Sequence, residues 1–269
     1  MTKIRGARER ARIEVTAAIK DEARRQLAAD GAAKLSLRAV ARELGMVSSA
    51  LYRYFPSRDE LLTALIVDAY EAVGAAAESA IAPPATSDSS HSFVSLQHAP
   101  DQATTPDQAA ATDGTATTDH RARWIALCSA VRGWALAHPH EYALIYGSPV
   151  PGYAAPHDTV VPASRVGAAM ISVARDAHRM RGLALPPLDD ALHDEARRLA
   201  DRFAPDLPPS VAVALIAAWS QVFGLISFEL FGQFHRVVEE RDAFFTQAVG
   251  RLADGVGLPG PPSVREAQR

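Results

Sequence analysis

The chain has 269 residues, with 28 Lys and Arg against 31 Asp and Glu and 48% hydrophobic residues, enough apolar content for one or two ordinary cores. A single cysteine, Cys128, excludes an intrachain disulfide and a thiolate-rich metal centre, and no basic-then-apolar leader opens the chain at Met1, so a reducing cytoplasm is the expected location. The net charge of −3 hides a division: residues 1–60 carry thirteen basic against eight acidic residues, a net of +5, while the rest carries fifteen against twenty-three, a net of −8.

In chain order, apolar residues recur three and four apart and no useful run alternates with period two, so the expected fold is all-α. Ile19, Ala23 and Leu27 mark one face of a first helix that stops at Gly31. Leu37, Val40, Ala41 and Leu44 mark a short second helix ending at Gly45, and Ser48 to Tyr54 a third. Ser57, with Glu60 three residues on, opens a fourth helix as a capping box. Residues 83–119 hold no Lys or Arg and are rich in Ala, Thr, Ser, Pro, Gln and Asp, which predicts a flexible loop.

Beyond that loop, stripes appear at Trp124, Leu127, Cys128, Val131 and Trp134, at Val166, Met170, Val173, Ala177 and Met180, and at Leu188, Leu192, Ala196, Leu199 and Phe203. A long apolar helix is expected over about Ser210–Arg236 and a last one over about Arg241–Asp254. Residues 211–228 carry no charge, but their length sits at the lower edge of a membrane span, and the polar interruptions at Ser220 and Gln221 favour an oligomer interface. The expected organisation is therefore a basic N-terminal domain over 1–82, the loop over 83–119, a helical domain over 120–257 and a disordered tail over 258–269.

The stretch from Leu35 to Tyr54, LSLRAVARELGMVSSALYRY, has the layout of a helix-turn-helix DNA reader. Ser48, Ser49 and Ala50 are small enough to let backbone approach base edges, while Tyr52, Arg53 and Tyr54 bring hydroxyls and a guanidinium within reach of phosphates or bases. An ordinary helical hairpin has no use for two tyrosines and an arginine so closely placed.

These residues, with Ala50-Leu51-Tyr52-Arg53-Tyr54-Phe55 and Ser57-Arg58-Asp59-Glu60-Leu61-Leu62, resemble the DNA-binding domain of the TetR family of transcriptional regulators over about residues 10–75. The resemblance implies a guanine contact for Arg38 and a phosphate contact for Ser36. It places Ser48, Ser49 and Ala50 against bases and gives Tyr52 and Tyr54 phosphate contacts, with Arg53 suited to either. Arg58 stands where the family usually has lysine, and the resemblance implies a phosphate contact there too. Lys3, Arg5, Arg8, Arg10 and Arg12 precede the first helix as a basic arm, either a DNA contact or a solvating tail. Leu37, Val40, Leu44, Leu51, Phe55 and Leu61 are expected in the core.

Family resemblance implies a homodimer on a palindromic DNA operator, with the dimer built from about Ser210–Arg236 and Arg241–Asp254. The second domain resembles a subgroup with a Trp-His-Gly signature: Trp219 and Gly224 match, and Phe223 replaces the histidine. A small apolar or aromatic effector is expected among Trp124, Trp134, Tyr142, Tyr146, Met170, Val173 and Phe203, and a ligand-released repressor is the expected function. An activator, or a ligand-binding protein that has lost DNA binding, are the alternatives. No nucleophile elbow, P-loop or dinucleotide fingerprint occurs, and His138-Pro139-His140-Glu141 and Asp190…His193-Asp194 lack a supporting ligand cluster, so no enzyme, metal or cofactor is expected.

Overall fold

The computed structural model describes residues 2–83 and 119–260, with side chains from Gly6 onward. The expected 83–119 loop and the tail therefore lie almost wholly outside the described residues. Ten α-helices occur among them: α1 Thr2–Asp30, α2 Leu37–Glu43, α3 Ser48–Leu51, α4 Arg58–Ile81, α5 His120–Ala137, α6 Pro139–Tyr146, α7 Val160–Arg179, α8 His193–Phe203, α9 Pro209–Leu230 and α10 Arg241–Val256. No strand occurs among the described residues.

The buried side chains form two clusters. The first joins Ile19, Ala23 and Leu27 of α1 to Leu37, Val40 and Ala41 of α2, Leu51 of α3, and Leu61, Leu62, Leu65 and Ile66 of α4. The second joins Ala69, Val73 and Ala77 of α4 to the inward faces of α5, α7, α9 and α10. Helix α4 thus runs through both, its first half in one core and its second half in the other. Ser57 caps it, accepting the Glu60 N–H at 3.1 Å.

Several boundaries depart from the sequence reading. The basic arm is helical, because α1 begins at Thr2, and Arg8, Arg10 and Arg12 lie exposed on its first turns. Helix α9 stops at Leu230 rather than near Arg236, since Gly232 takes a left-handed φ of 84° and the chain turns back. Phe234 then packs edge-on against Phe228 of α9 and Phe244 of α10. Helix α8 begins only at His193, leaving Leu188 outside it. Leu258 is buried, not part of a disordered tail: its N–H bonds Ala253 O at 2.8 Å across Gly257, whose φ is 96°. The 139–146 stretch, two turns without a long stripe, forms α6, whose first residue is a proline pre-set for that position.

Helix α9 is long and apolar enough to cross a membrane by length and composition. Val211, Leu215, Ala218, Val222 and Ile226 turn its inner face into the second core. Its other side leaves Trp219, Phe228 and the following Phe231 exposed.

Candidate nucleic-acid interface

Helices α2 and α3 are held at a fixed angle by main-chain geometry. Ser36 caps α2 by accepting the Ala39 N–H at 3.5 Å. At its other end Met46 N–H bonds Ala41 O at 2.8 Å and Gly45 N–H bonds Arg42 O at 3.1 Å, with Gly45 at φ 63°. That pair of bonds is a Schellman stop, and its left-handed residue explains the glycine. The turn leads at once into Val47, which precedes α3.

Burial sorts the two helices into an inner and an outer face. Leu37, Val40, Ala41 and Leu51 face the core, and Arg38, Arg42, Ser48, Ser49, Tyr52 and Arg53 are exposed. Ala50 and Tyr54 are half-buried, and Tyr54 packs against the core. The result is a polar outer surface with two arginines from α2 and one from the end of α3, backed by a rigid apolar core. Such a surface offers bidentate donors to guanine and hydroxyls to phosphate. Sequence reasoning missed Val47, which stands 70% exposed at the head of α3. An exposed valine beside small residues suits a thymine methyl, and its place immediately before Ser48 is the signal that points to it.

Arg58 behaves differently from its sequence-based expectation. Its Nη2 donates to Ala32 O at 2.8 Å and its Nε to Leu35 O at 3.2 Å, while Nη1 lies 3.4 Å from Asp59 Oδ1. The guanidinium is therefore turned inward onto the α1–α2 connection. The reason is local: the 3₁₀ turn Ala32–Lys34 brings main-chain carbonyls beside the start of α4, where the Ala32 oxygen accepts from both Leu35 N–H and Arg58.

The two cores are also tied together across α1, α4 and α6. Arg24 of α1 donates to Asp68 of α4 at 2.7 Å and to Glu141 of α6 at 3.2 Å, and Lys20 bonds Asp68 at 2.9 Å. Thr63 Oγ1 and Tyr153 Oη lie 2.8 Å apart.

In the second core the expected effector-lining residues are mostly packing residues. Trp124 is fully buried and its indole N–H bonds Val249 O at 3.1 Å. Tyr142 is equally buried, donating to Phe223 O at 3.1 Å, with Ser227 Oγ 2.9 Å away. Met170 and Val173 are buried in the same cluster, and Trp134 stacks on His138. Phe203 is half exposed and borders a crevice of only about 20 Å³. Large side chains on a helical stripe fill a core first, and Trp124, Tyr142, Met170 and Val173 pack here in one cluster. Tyr146 is the exception: it borders a cleft of about 760 Å³, and its hydroxyl is buried without a partner. Burial raises the Tyr142 and Tyr146 phenols above their ordinary range, and pushes the Cys128 thiol up to about 12. No group of three potential metal ligands occurs among the described residues.

Residues 19–65 match the family described as "Bacterial regulatory proteins, tetR family", and residues 124–252 match "Tetracyclin repressor-like, C-terminal domain". The chain belongs to the TetR family of transcriptional regulators. It is 39% identical over 236 residues to the HTH-type transcriptional regulator Rv1816 of Mycobacterium tuberculosis, covering 85% of this chain and 86% of that protein. It is similar to the crystal structure of SCO4313, with a TM-score of 0.67, 32% identity and coverage of 91% of this chain and 98% of that one. A Rhodococcus sp. RHA1 protein of unknown function shares the fold at a TM-score of 0.58 and 22% identity, over 90% of this chain and 95% of its own. Membership of the TetR family makes this chain a helix-turn-helix transcriptional regulator, not an enzyme, with residues 19–65 as its DNA-binding part.

Proposed function

We propose that this regulator is a ligand-released repressor that binds a palindromic operator as a homodimer in the cytoplasm. The observation that carries the DNA reading is the outer face of α2 and α3, where Arg38, Ser48, Ser49, Tyr52 and Arg53 stand exposed over a buried core. In this reading Arg38 addresses a guanine, Ser48, Ser49, Ala50 and Val47 lie against base edges, and Tyr52, Tyr54 and the Ser36 hydroxyl meet phosphates. Arg53 serves either. Arg58 acts as a positioning residue, holding the α1–α2 connection against α4.

The dimer reading rests on α9 and α10. Between them runs a groove of about 660 Å³ bordered by Leu225, Phe228, Phe234, Phe244 and Leu252, and Phe228 is 54% exposed. A second copy of the same two helices would cover this apolar strip in a two-fold four-helix bundle. Two recognition helices so joined read half-sites about one turn of DNA apart.

Recovery and sequencing of genomic fragments retained by the purified protein at moderate salt tests this. A small set of sites sharing a palindrome is expected. Retention without any shared sequence, by a folded dimer, contradicts the reading.

A further inference from the structure

The cleft of about 760 Å³ beside Tyr146 lies between the two cores. Gly31, Ala32 and Ala33 at the end of α1 form one wall, and residues of α6, the 147–151 connection and α9 form the other. No Asp, Glu, Lys or Arg lines it, and His140 is the one basic side chain on its wall. Tyr146 and Phe231 bring an aromatic cluster to its edge: the Tyr146 ring lies 4.2 Å from that of Phe223 and 5.1 Å from that of Tyr142, which in turn lies 6.3 Å from that of Phe231. The Tyr146 hydroxyl is a buried donor with no acceptor.

We propose that this cleft binds an uncharged aromatic molecule. Each part of that description answers a feature of the wall. A charged ligand would lose its hydration without meeting a carboxylate, ammonium or guanidinium. An aromatic ring finds ring partners at the cleft's edge. The volume falls in the range of about 300–1,000 Å³ that holds small-molecule ligands.

The cleft also has a route to the DNA-binding surface. Ala32 of its wall is the residue whose carbonyl Arg58 holds at 2.8 Å, and Arg58 opens α4, the next helix after α3. An occupant that displaces the Ala32–Ala33 wall pulls on the residue that sets α4 against the recognition helix. This inference rests on the ligand-released reading above and gives it a site outside the second core.

The test uses Nile red, a planar uncharged dye with a ring carbonyl, titrated into the full-length protein by fluorescence. Ala143→Trp and Ser148→Trp, two separate positions on the cleft wall, each put an indole into the space, and circular dichroism melts show which variants fold. Saturable binding is expected, with affinity at least tenfold weaker in each folded Trp variant. Absence of binding to the wild type, or equal affinity in the wild type and a folded variant, overturns the proposal. Operator affinity, measured separately with a recovered fragment, distinguishes the two claims. Binding that the Trp variants abolish without any effect of dye on operator affinity supports the cleft and refutes ligand release. Dye that releases the operator equally from wild type and Trp variants refutes the cleft and leaves ligand release standing.

Discussion

Arg58 donates to the main-chain carbonyl of Ala32 at 2.8 Å, so the first residue of α4 grips the turn that ends α1. The grip fixes the DNA-binding helices from outside: α2 follows that turn and α3 immediately precedes α4. Replacement of Arg58 by Met keeps the aliphatic stem and removes the donors, and is expected to cost about 1.5–3 kcal/mol of stability, the range for hydrogen bonds to a charged group. A thermal melt measures this. The slope of log affinity against log salt should hardly change, whereas loss of a phosphate contact would shallow it by about one.

Arg38 stands at the opposite extreme, exposed on the outer face of α2. Arg38→Ala should leave the melting temperature unchanged and weaken operator binding by about 1–3 kcal/mol, with relaxed preference at a single base pair. Selection from a randomised operator reads both effects. A uniform loss across all sequences would make Arg38 a backbone contact instead.

How much of this was legible in the sequence follows from where the information sits. The helix-turn-helix was readable because Gly45, Ser57 and the Leu37, Val40, Leu51 spacing are local signals. The inward bonds of Arg58 are not legible in the sequence, because its acceptors, the carbonyls of Ala32 and Leu35, are main-chain groups more than twenty residues away that no side-chain pattern announces. The packing role of Trp124 and Trp134 is hidden for a related reason: a tryptophan stripe reads alike whether it fills a core or walls a cavity. The cleft escaped notice because Ala33, Ala143 and Ser148, small residues from three segments, carry no periodicity between them.

Tyr142 and Tyr146 offer a contrast four residues apart. Tyr142→Phe removes the hydroxyl that bonds the Phe223 carbonyl and Ser227 Oγ and should destabilise the protein by about 0.5–1.5 kcal/mol. Tyr146→Phe removes a hydroxyl that has no partner, so it should be neutral or stabilising. Chemical denaturation of both variants provides the comparison.

The same phenols set an alkaline limit. Burial keeps both protonated in the fold after unfolded tyrosine begins to ionise near about pH 10, so the folded state binds more protons there. Stability should therefore be unaffected by these groups below that pH and fall as pH rises above it. The double Phe variant should flatten the decline, as followed by denaturation at several alkaline pH values.

Arg132 of α5 holds Glu229 of α9 by two bonds of 2.7 Å, and Glu229 is only 6% exposed. Arg132→Met should cost about 3–5 kcal/mol by leaving a buried carboxylate unpaired. The further change Glu229→Gln should recover part of that loss in a thermal melt, because it removes the stranded charge.

The claim that the α2–α3 face reads DNA sequence is tested most directly by competition: the recovered operator against a shuffled duplex of equal length and composition, at one fixed salt concentration. The account predicts a preference of about a thousandfold or more for the operator. Equal affinity for the two duplexes would contradict it.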